Sequence, residues 1–497
     1  MCGIAGVFQE PASQTIATMI KNISHRGPDG HGVVDVSKGT FGHTRLAILD
    51  VDGGHQPMDF QETSIVFNGE IYNYRELKRK YLPNLRVKTH SDTEVLIHLY
   101  RKIGPRCVKL LDGMFAFAIQ HNGEIFMARD HIGIKPLYYG KSADGKKFFF
   151  ASEIKALMGH VERIKEFPAG HWYHSRLGWH KFYQLEKTIR PFDGAELDAL
   201  PLIKSTLRKA VYKRLLADVP VGVSLSGGLD SSIVTALARE ETEHLHSFAV
   251  GVEGSPDLEA ARQMSRHLDT IHHEYVYNTQ DMVDALPHVL YHLESFDPAL
   301  VRSAIPNYFL AKLASQHVKV ILTGEGADEV FAGYDYLARY ETPEELQDEM
   351  VYITNALHNT NLQRADRMSM AFGLEARVPF LDVKSVSLAM GIPADWKLHH
   401  ERVPKHLLRQ SFADDLPEQI VNRPKAKFSK GAGSSELIAQ EAVEKITDQE
   451  FTSERDRLKK DWVYNLQNKE ALYYYRVLRE FYSDEWILPS MGKSRSL

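Results

Sequence analysis

From residue 200 to about 333 the chain alternates short apolar runs with amphipathic stretches, and few folds accommodate that rhythm. The runs 219–225, 246–252, 272–277 and 318–322 have strand length. The stretches 200–216, 231–239, 257–267, 279–292 and 305–316 have helical spacing. Strands joined through helices run parallel, so this half is expected to form a doubly wound parallel sheet covered on both faces. Beyond residue 333 the pattern is mainly helical. The first ~185 residues read differently. Short runs at 65–68, 114–120, 125–129 and 148–151 are separated by glycines and by His121-Asn122-Gly123-Glu124, a hairpin signal. Helical patterns at 14–23 and 93–103 sit among them. That mixture predicts an α+β layered unit with mostly antiparallel sheets. The polar stretch 185–199, with Pro191 and Asp193-Gly194, reads as the linker between a domain at 1–188 and one at 200–497.

The net charge of −5 carries no basic bias, which argues against nucleic acid or an anionic membrane as partner. Cys2 and Cys107 are the two cysteines, too few for a disulfide framework and consistent with a reducing compartment. No apolar run is long enough to span a bilayer, and the N-terminus lacks a signal-peptide pattern. The expected location is cytoplasmic and the expected partners are small molecules.

The sharpest chemical signal is Ser226-Gly227-Gly228-Leu229-Asp230-Ser231-Ser232, between an apolar strand and a helix. Glycines let backbone N–H groups approach an anion, and the helix N-terminus adds partial positive charge. Ser226, Ser231 and Ser232 add hydroxyls, and Asp230 can hold a magnesium ion. The loop lacks the spacing and lysine of a Walker A motif. It resembles the ATP pyrophosphatase signature, in which ATP is split between its α and β phosphates. A second loop, Thr323-Gly324-Glu325-Gly326-Ala327-Asp328-Glu329, also follows an apolar strand, and Asp328 is placed to share magnesium with Asp230.

Near the N-terminus, Cys2 follows a methionine whose removal would leave a free α-amine beside the thiol, an arrangement suited to a nucleophile. A buried inert thiol is the competing reading. Arg45 offers a guanidinium fork for a carboxylate, and Asn68 with Gly69 offers two oxyanion donors. Glu70 and Asp92 can take an ammonium, although Asp92 also sits where a helix cap would. Together these are the requirements for hydrolysing the amide of glutamine.

The segments Cys2-Gly3-Ile4-Ala5-Gly6, His25-Arg26-Gly27-Pro28-Asp29-Gly30, Phe67-Asn68-Gly69-Glu70-Ile71-Tyr72-Asn73 and Ala128-Arg129-Asp130-His131-Ile132-Gly133 resemble class II glutamine amidotransferase domains. The two loops, with Arg364-Ala365-Asp366-Arg367-Met368-Ser369 and Leu374-Glu375-Ala376-Arg377-Val378-Pro379-Phe380-Leu381-Asp382, resemble the synthetase half of glutamine-hydrolysing asparagine synthetases. The resemblance implies an αββα N-terminal-nucleophile hydrolase fold, then an adenine-nucleotide α-hydrolase-like parallel sheet with extra helices. It implies Cys2 as nucleophile and glutamine contacts at Arg45, Leu46, Ala47, Ile48, Leu49, Asn68, Gly69, Glu70 and Asp92. It implies ATP contacts at Ser224, Leu225, Ser226, Gly227, Gly228, Asp230, Ser231, Ser232, Val250, Thr323 and Gly324. Glu325 is implicated in the acyl-adenylate step, Lys425 in steadying phosphate, Arg302 in acceptor binding, and a homodimer is the family expectation.

The implied reaction uses ATP and Mg2+ to adenylate the β-carboxylate of aspartate, which ammonia from glutamine then displaces. An internal passage for ammonia is expected. One departure stands out: the threonines common before the arginine are replaced in Pro298-Ala299-Leu300-Val301-Arg302. A related glutamine-dependent ligase acting on another carboxylate therefore stays open, as does a catalytically silent nucleotide-binding protein.

Overall fold

The computed structural model describes residues 2–398, 403–424 and 428–494. In the first half, two six-stranded antiparallel sheets face each other. One has Gly3–Phe8 at its centre, flanked by Gly39–Arg45 and Phe148–Ala151. The other centres on Thr63–Ile71, Gly113–His121 and Glu124–Arg129. Alternation along each strand drives the sandwich: Ile4, Phe8 and Phe41 from one sheet meet Val66, Ala118 and Met127 from the other in a fully apolar core. Helix Ser13–Asn22 covers the first sheet through Ile16, Met19 and Ile20. Helices Tyr74–Tyr81 and Asp92–Ile103 cover the second through Leu77, Val95 and Leu99. The result is the four-layer αββα arrangement. The Asn122-Gly123 hairpin forms as expected, with both residues at positive φ, the geometry a two-residue turn needs.

Between 185 and 199 the chain forms a helical turn, Leu185–Thr188, and then enters helix Glu196–Arg214. The second half is a five-stranded, all-parallel sheet in the order Ile271–Val276, His246–Gly251, Val221–Ser224, Val320–Leu322, Glu375–Arg377. Its two faces feed separate cores. Val223, Ala249, Val320 and Leu322 pack against helices Glu196–Arg214 and Leu229–Arg239. Phe248, Val250, Ile321 and Ala376 pack against helices Thr279–Leu293 and Pro298–Ala314. Strand order reverses between Val221–Ser224 and Val320–Leu322, so the loops after these two strands open onto one crevice.

Two elements differ from the sequence expectation. The helix expected at 305–316 begins at Pro298, because Asp297 accepts from the N–H groups of Ala299 and Leu300 and Pro298 suits a first helical position. The fifth strand, Glu375–Arg377, lies in the region read as helical. Two charges in three residues hide a strand; Glu375 and Arg377 pair with each other, and Arg377 also faces Glu70, distant in sequence.

The halves are joined by a buried ionic cluster. Arg26 reaches Glu153 at 2.7 Å and Asp366 at 2.8 Å, and Lys155 reaches Glu153 at 2.5 Å and Glu294 at 2.9 Å. Arg367 reaches Glu294 at 2.9 Å. Against the cost of burial, Lys155, His25 and Arg367 hold the Glu153 carboxyl well below the ordinary range. Glu294 closes helix Thr279–Leu293 in a left-handed conformation and also accepts from the N–H groups of Ile154 and Lys155. Removing one charge strands the others in a medium of low polarity. Glu153→Gln is therefore expected to cost about 3–5 kcal/mol, read as a lowered thermal or urea midpoint of the full chain.

Candidate active site

Cys2 precedes the central strand Gly3–Phe8 and is 7% exposed. Its chain nitrogen donates to Asn68 Oδ1 at 3.1 Å, and its carbonyl accepts from Arg26 Nε at 3.1 Å. Burial, reinforced by the charges of Glu375 and Glu70, pushes the thiol above its ordinary range. Asn68 lies on the facing sheet, fully buried, and its Nδ2 has no partner among the described residues. A buried amide donor without an acceptor beside a thiol is a site prepared for a developing oxyanion. Gly69 follows at a φ of +151°, where an added Cβ would meet Met114 O at 2.0 Å, so no other residue fits.

Arg45 ends strand Gly39–Arg45 and donates to the carbonyls of Val51 at 2.8 Å and Asp50 at 2.7 Å. It pairs with no carboxylate among the described residues, so its charge is left for an anionic ligand. The loop after it, Leu46, Ala47, Ile48 and Leu49, is buried; Ala47 N donates to Asp29 Oδ2, and Leu46 O faces the thiol. On the far side, Glu70 and Asp92 are buried together. Burial, with the charges of Asp92 and Glu375, raises Glu70 well above the ordinary range, and burial pushes Asp92 up to about 6. Crowded carboxylates held this way favour a cation. Asp92 is not the helix cap: Ser91 takes that role, accepting from Thr93 N at 3.2 Å, while Asp92 Oδ2 accepts from Ile71 N at 2.8 Å.

The second site lies at the sheet's switch point, a cavity of about 310 Å3 lined by Ser224, Ser226, Gly228, Asp230, Ser231, Thr323, Gly324, Glu325 and Asp328. Ser231 Oγ donates to Gly228 O at 3.1 Å and accepts from Ser226 N at 3.2 Å, which shapes the loop entering helix Leu229–Arg239. Gly227 has φ +65°, and a Cβ there would strike Ala260. Close approach also fixes Gly324, whose Cβ would meet Asp230 Cβ at 2.8 Å. Of the other expected nucleotide residues, Leu225 and Val250 are buried core, with Leu225 N donating to Phe248 O at 2.9 Å, and Ser232 is buried on the helix.

Asp230 and Asp328 come together as expected, at 2.6 Å and 2.5 Å from Lys405 Nζ. Asp230 Oδ1 is buried without a hydrogen-bond partner among the described residues. Two carboxylates with an unmet oxygen beside a phosphate loop are a donor set that fits magnesium. Lys405, Arg409 and Arg423 complete the walls and were not expected. Arg423 opens the segment that carries Lys425, whereas no local motif marks Lys405 and Arg409, whose charge only folding delivers. Glu325 pairs with Arg364, whose Nη1 donates to Ser303 Oγ at 3.0 Å. Lys425 lies outside the described residues.

Arg302 is placed elsewhere. Its guanidinium forks onto the buried carboxylate of Glu470, with Nε donating at 2.8 Å, and it does not line the cavity. On that wall the cavity is lined by Ala299, Leu300, Ser303 and Asn307.

Strand Glu375–Arg377 stands between the two sites. Arg377 Nη2 lies 3.7 Å from Glu70 Oε1, and Arg377 O accepts from Thr323 N at 2.9 Å.

A family profile described as a glutamine amidotransferase domain matches residues 1–178. One described as asparagine synthase matches residues 202–347 and 338–487. The chain is 38% identical over 510 residues to a glutamine-hydrolysing asparagine synthetase 2 of Lotus japonicus, covering 97% of this chain and 86% of that protein. It is 37% identical over 522 residues to the glutamine-hydrolysing asparagine synthetase B of Escherichia coli, covering 99% and 93%.

Asp92 holds its proton more tightly folded, at about 6, than at its ordinary value of 3.8, so stability falls as pH rises from the lower value through the higher. Asp92→Asn is expected to raise the thermal midpoint near pH 7.5 by the equivalent of about 2–3 kcal/mol. The gain should shrink towards about pH 4, as measured by scanning fluorimetry without ligands.

Proposed function

The chain belongs to the family of glutamine-hydrolysing asparagine synthetases, and from that premise we propose how its residues divide the work. The enzyme converts L-aspartate to L-asparagine with ATP, taking nitrogen from glutamine through a β-aspartyl-AMP intermediate and releasing glutamate, AMP and pyrophosphate.

In the glutaminase half, residues 1–188, the Cys2 thiol attacks the glutamine amide. Once Met1 is removed the Cys2 nitrogen becomes the α-amine that takes the thiol proton. Asn68 Nδ2 and the Gly69 N–H stabilise the oxyanion. Arg45 holds the substrate carboxylate, and Glu70 with Asp92 holds its ammonium, which restores both acids to their charged form. One observation carries this assignment: Asn68 holds the Cys2 nitrogen through Oδ1 while its Nδ2 is buried without a partner among the described residues.

In the synthetase half, residues 200–497, the loop at Ser226, Gly227 and Gly228 receives the phosphates with the N-terminus of helix Leu229–Arg239. A magnesium ion held by Asp230 and Asp328 would neutralise pyrophosphate as it leaves. Lys405 presets the two carboxylates, and Arg409 and Arg423 add positive charge on the cavity wall. Glu325, oriented by Arg364, is assigned to the adenylate step, and Lys425 to the departing phosphate. Because Arg302 is held by Glu470, Ser303, Asn307 and Arg364 are the polar groups nearest to hand for the acceptor. None of the described helices is long and apolar enough to cross a membrane. The proposal includes a cytoplasmic setting, a homodimer, and small-molecule substrates in place of nucleic acid or membrane.

Incubation with aspartate, ATP, magnesium and glutamine should yield asparagine, AMP and pyrophosphate; ADP and phosphate would overturn the nucleotide chemistry. Cys2→Ala should abolish glutamine-supported synthesis while ammonium chloride still supports it. Asp328→Asn should lower the rate at least about tenfold and raise the magnesium concentration needed for half-maximal activity.

A further inference from the structure

Three histidines converge at the end of the parallel sheet opposite the nucleotide loops. His246 opens strand His246–Gly251, and His273 pairs in register with Phe248, two residues further on. Alternation puts His246, Phe248 and His273 on one face. Helix Pro298–Ala314 packs over that face, and the turn closing it, with His317 N donating to Ala314 O at 3.0 Å, brings in the third imidazole. The C-terminal end of a helix favours a cation.

One ligand nitrogen from each ring lies within 4.8 Å of the other two. His246 Nδ1 and His273 Nε2 are 2.9 Å apart, and the His273 and His317 rings stack with centroids at 3.9 Å. Phe248 lies against all three. None of the three pairs with a carboxylate among the described residues. Burial and the charges of its neighbours push His273 down to about 4, and burial with His317 lowers His246 as well. Both rings are thus neutral near pH 7, with lone pairs free to ligate.

The geometry points to a three-histidine site for a divalent transition-metal ion of the zinc, nickel or copper class. Imidazole suits these borderline ions and not magnesium, which takes oxygen. Nitrogens on a tetrahedral zinc stand about 3.3 Å apart. The close pair opens slightly to reach that spacing, and His317, which is exposed, swings in. The ring donating the shared proton moves it to its other nitrogen before ligating. A fourth position faces solvent.

The test uses the metal-stripped full chain carrying Cys2→Ala, which removes the reactive thiol as a competing ligand. Equilibrium dialysis against zinc chloride near pH 7.5, without nucleotide, should show one bound zinc per chain. His317→Ala and His273→Gln should each weaken binding at least about tenfold. Zinc should raise the thermal midpoint of the parent but not of His317→Ala, while the metal-free midpoints of those two agree, so lost binding is not lost folding. Bound cobalt(II) should give the visible spectrum of a nitrogen-rich four-coordinate site. Absence of stoichiometric zinc, or binding unchanged by both substitutions, overturns the proposal.

Discussion

Arg26 has no exposed surface, and its guanidinium joins three otherwise separate parts of the molecule. Nε holds the carbonyl of Cys2, Nη1 bridges Glu153 and Asp366, and Nη2 reaches Asp366 again. One planar group therefore fixes the backbone at Cys2 and docks the first half of the chain on the second. An unpaired charge at that depth is prohibitive, so the halves meet in this arrangement or leave several charges stranded. The two sequence motifs that supply Arg26 and Asp366 lie 340 residues apart and make sense only as one contact. Asp29, in the same motif as Arg26, repeats the device: it holds Ala47 N and pairs with Lys319 just ahead of strand Val320–Leu322.

The two sites distribute charge differently. Around Cys2 the excess is acidic, with Glu70, Asp92 and Glu375 gathered at one end and Arg45 alone at the other, a dipole suited to an amino acid. At the switch point the four bases Lys405, Arg409, Arg423 and Arg364 face four acids, Asp230, Asp257, Glu325 and Asp328, so both signs of charge line one cavity. Binding in either place relieves a tension built into the empty site. That is why the perturbed carboxylates lie here, although a buried acid is costly anywhere else.

What could be read from the sequence was what is local. The strand–turn–helix at 226–232 and its partner at 323–329 declare themselves through glycines and apolar runs, and their convergence follows from parallel-sheet topology. Cys2, Asn68 and Gly69 were legible for the same reason. The basic wall of the cavity was not, because Lys405 and Arg409 lie in sequence read as helical with no distinguishing spacing, and Arg423 is marked only as a neighbour of Lys425. Arg302 misled, since helical position alone does not say whether a side chain faces a cavity or a neighbouring helix; Glu470 decides that. Asp92 occupied a plausible capping position, yet Ser91 is the cap. Freed from that duty, the carboxylate faces Ile71 and the acidic cluster.

Strand Glu375–Arg377 is three residues long and faces two ways. Its charged side chains belong to the acidic cluster around Glu70, Ala376 belongs to the apolar core beneath the sheet, and the Arg377 carbonyl steadies the start of the nucleotide loop. A slip of one residue would bury a charge in that core, put alanine beside Glu70 and release Thr323, all in a single event. The two chemistries consequently cannot drift apart by small steps. Any lineage that loosens this strand risks both activities together, whereas the outer edges of either half are free to vary without consulting the other.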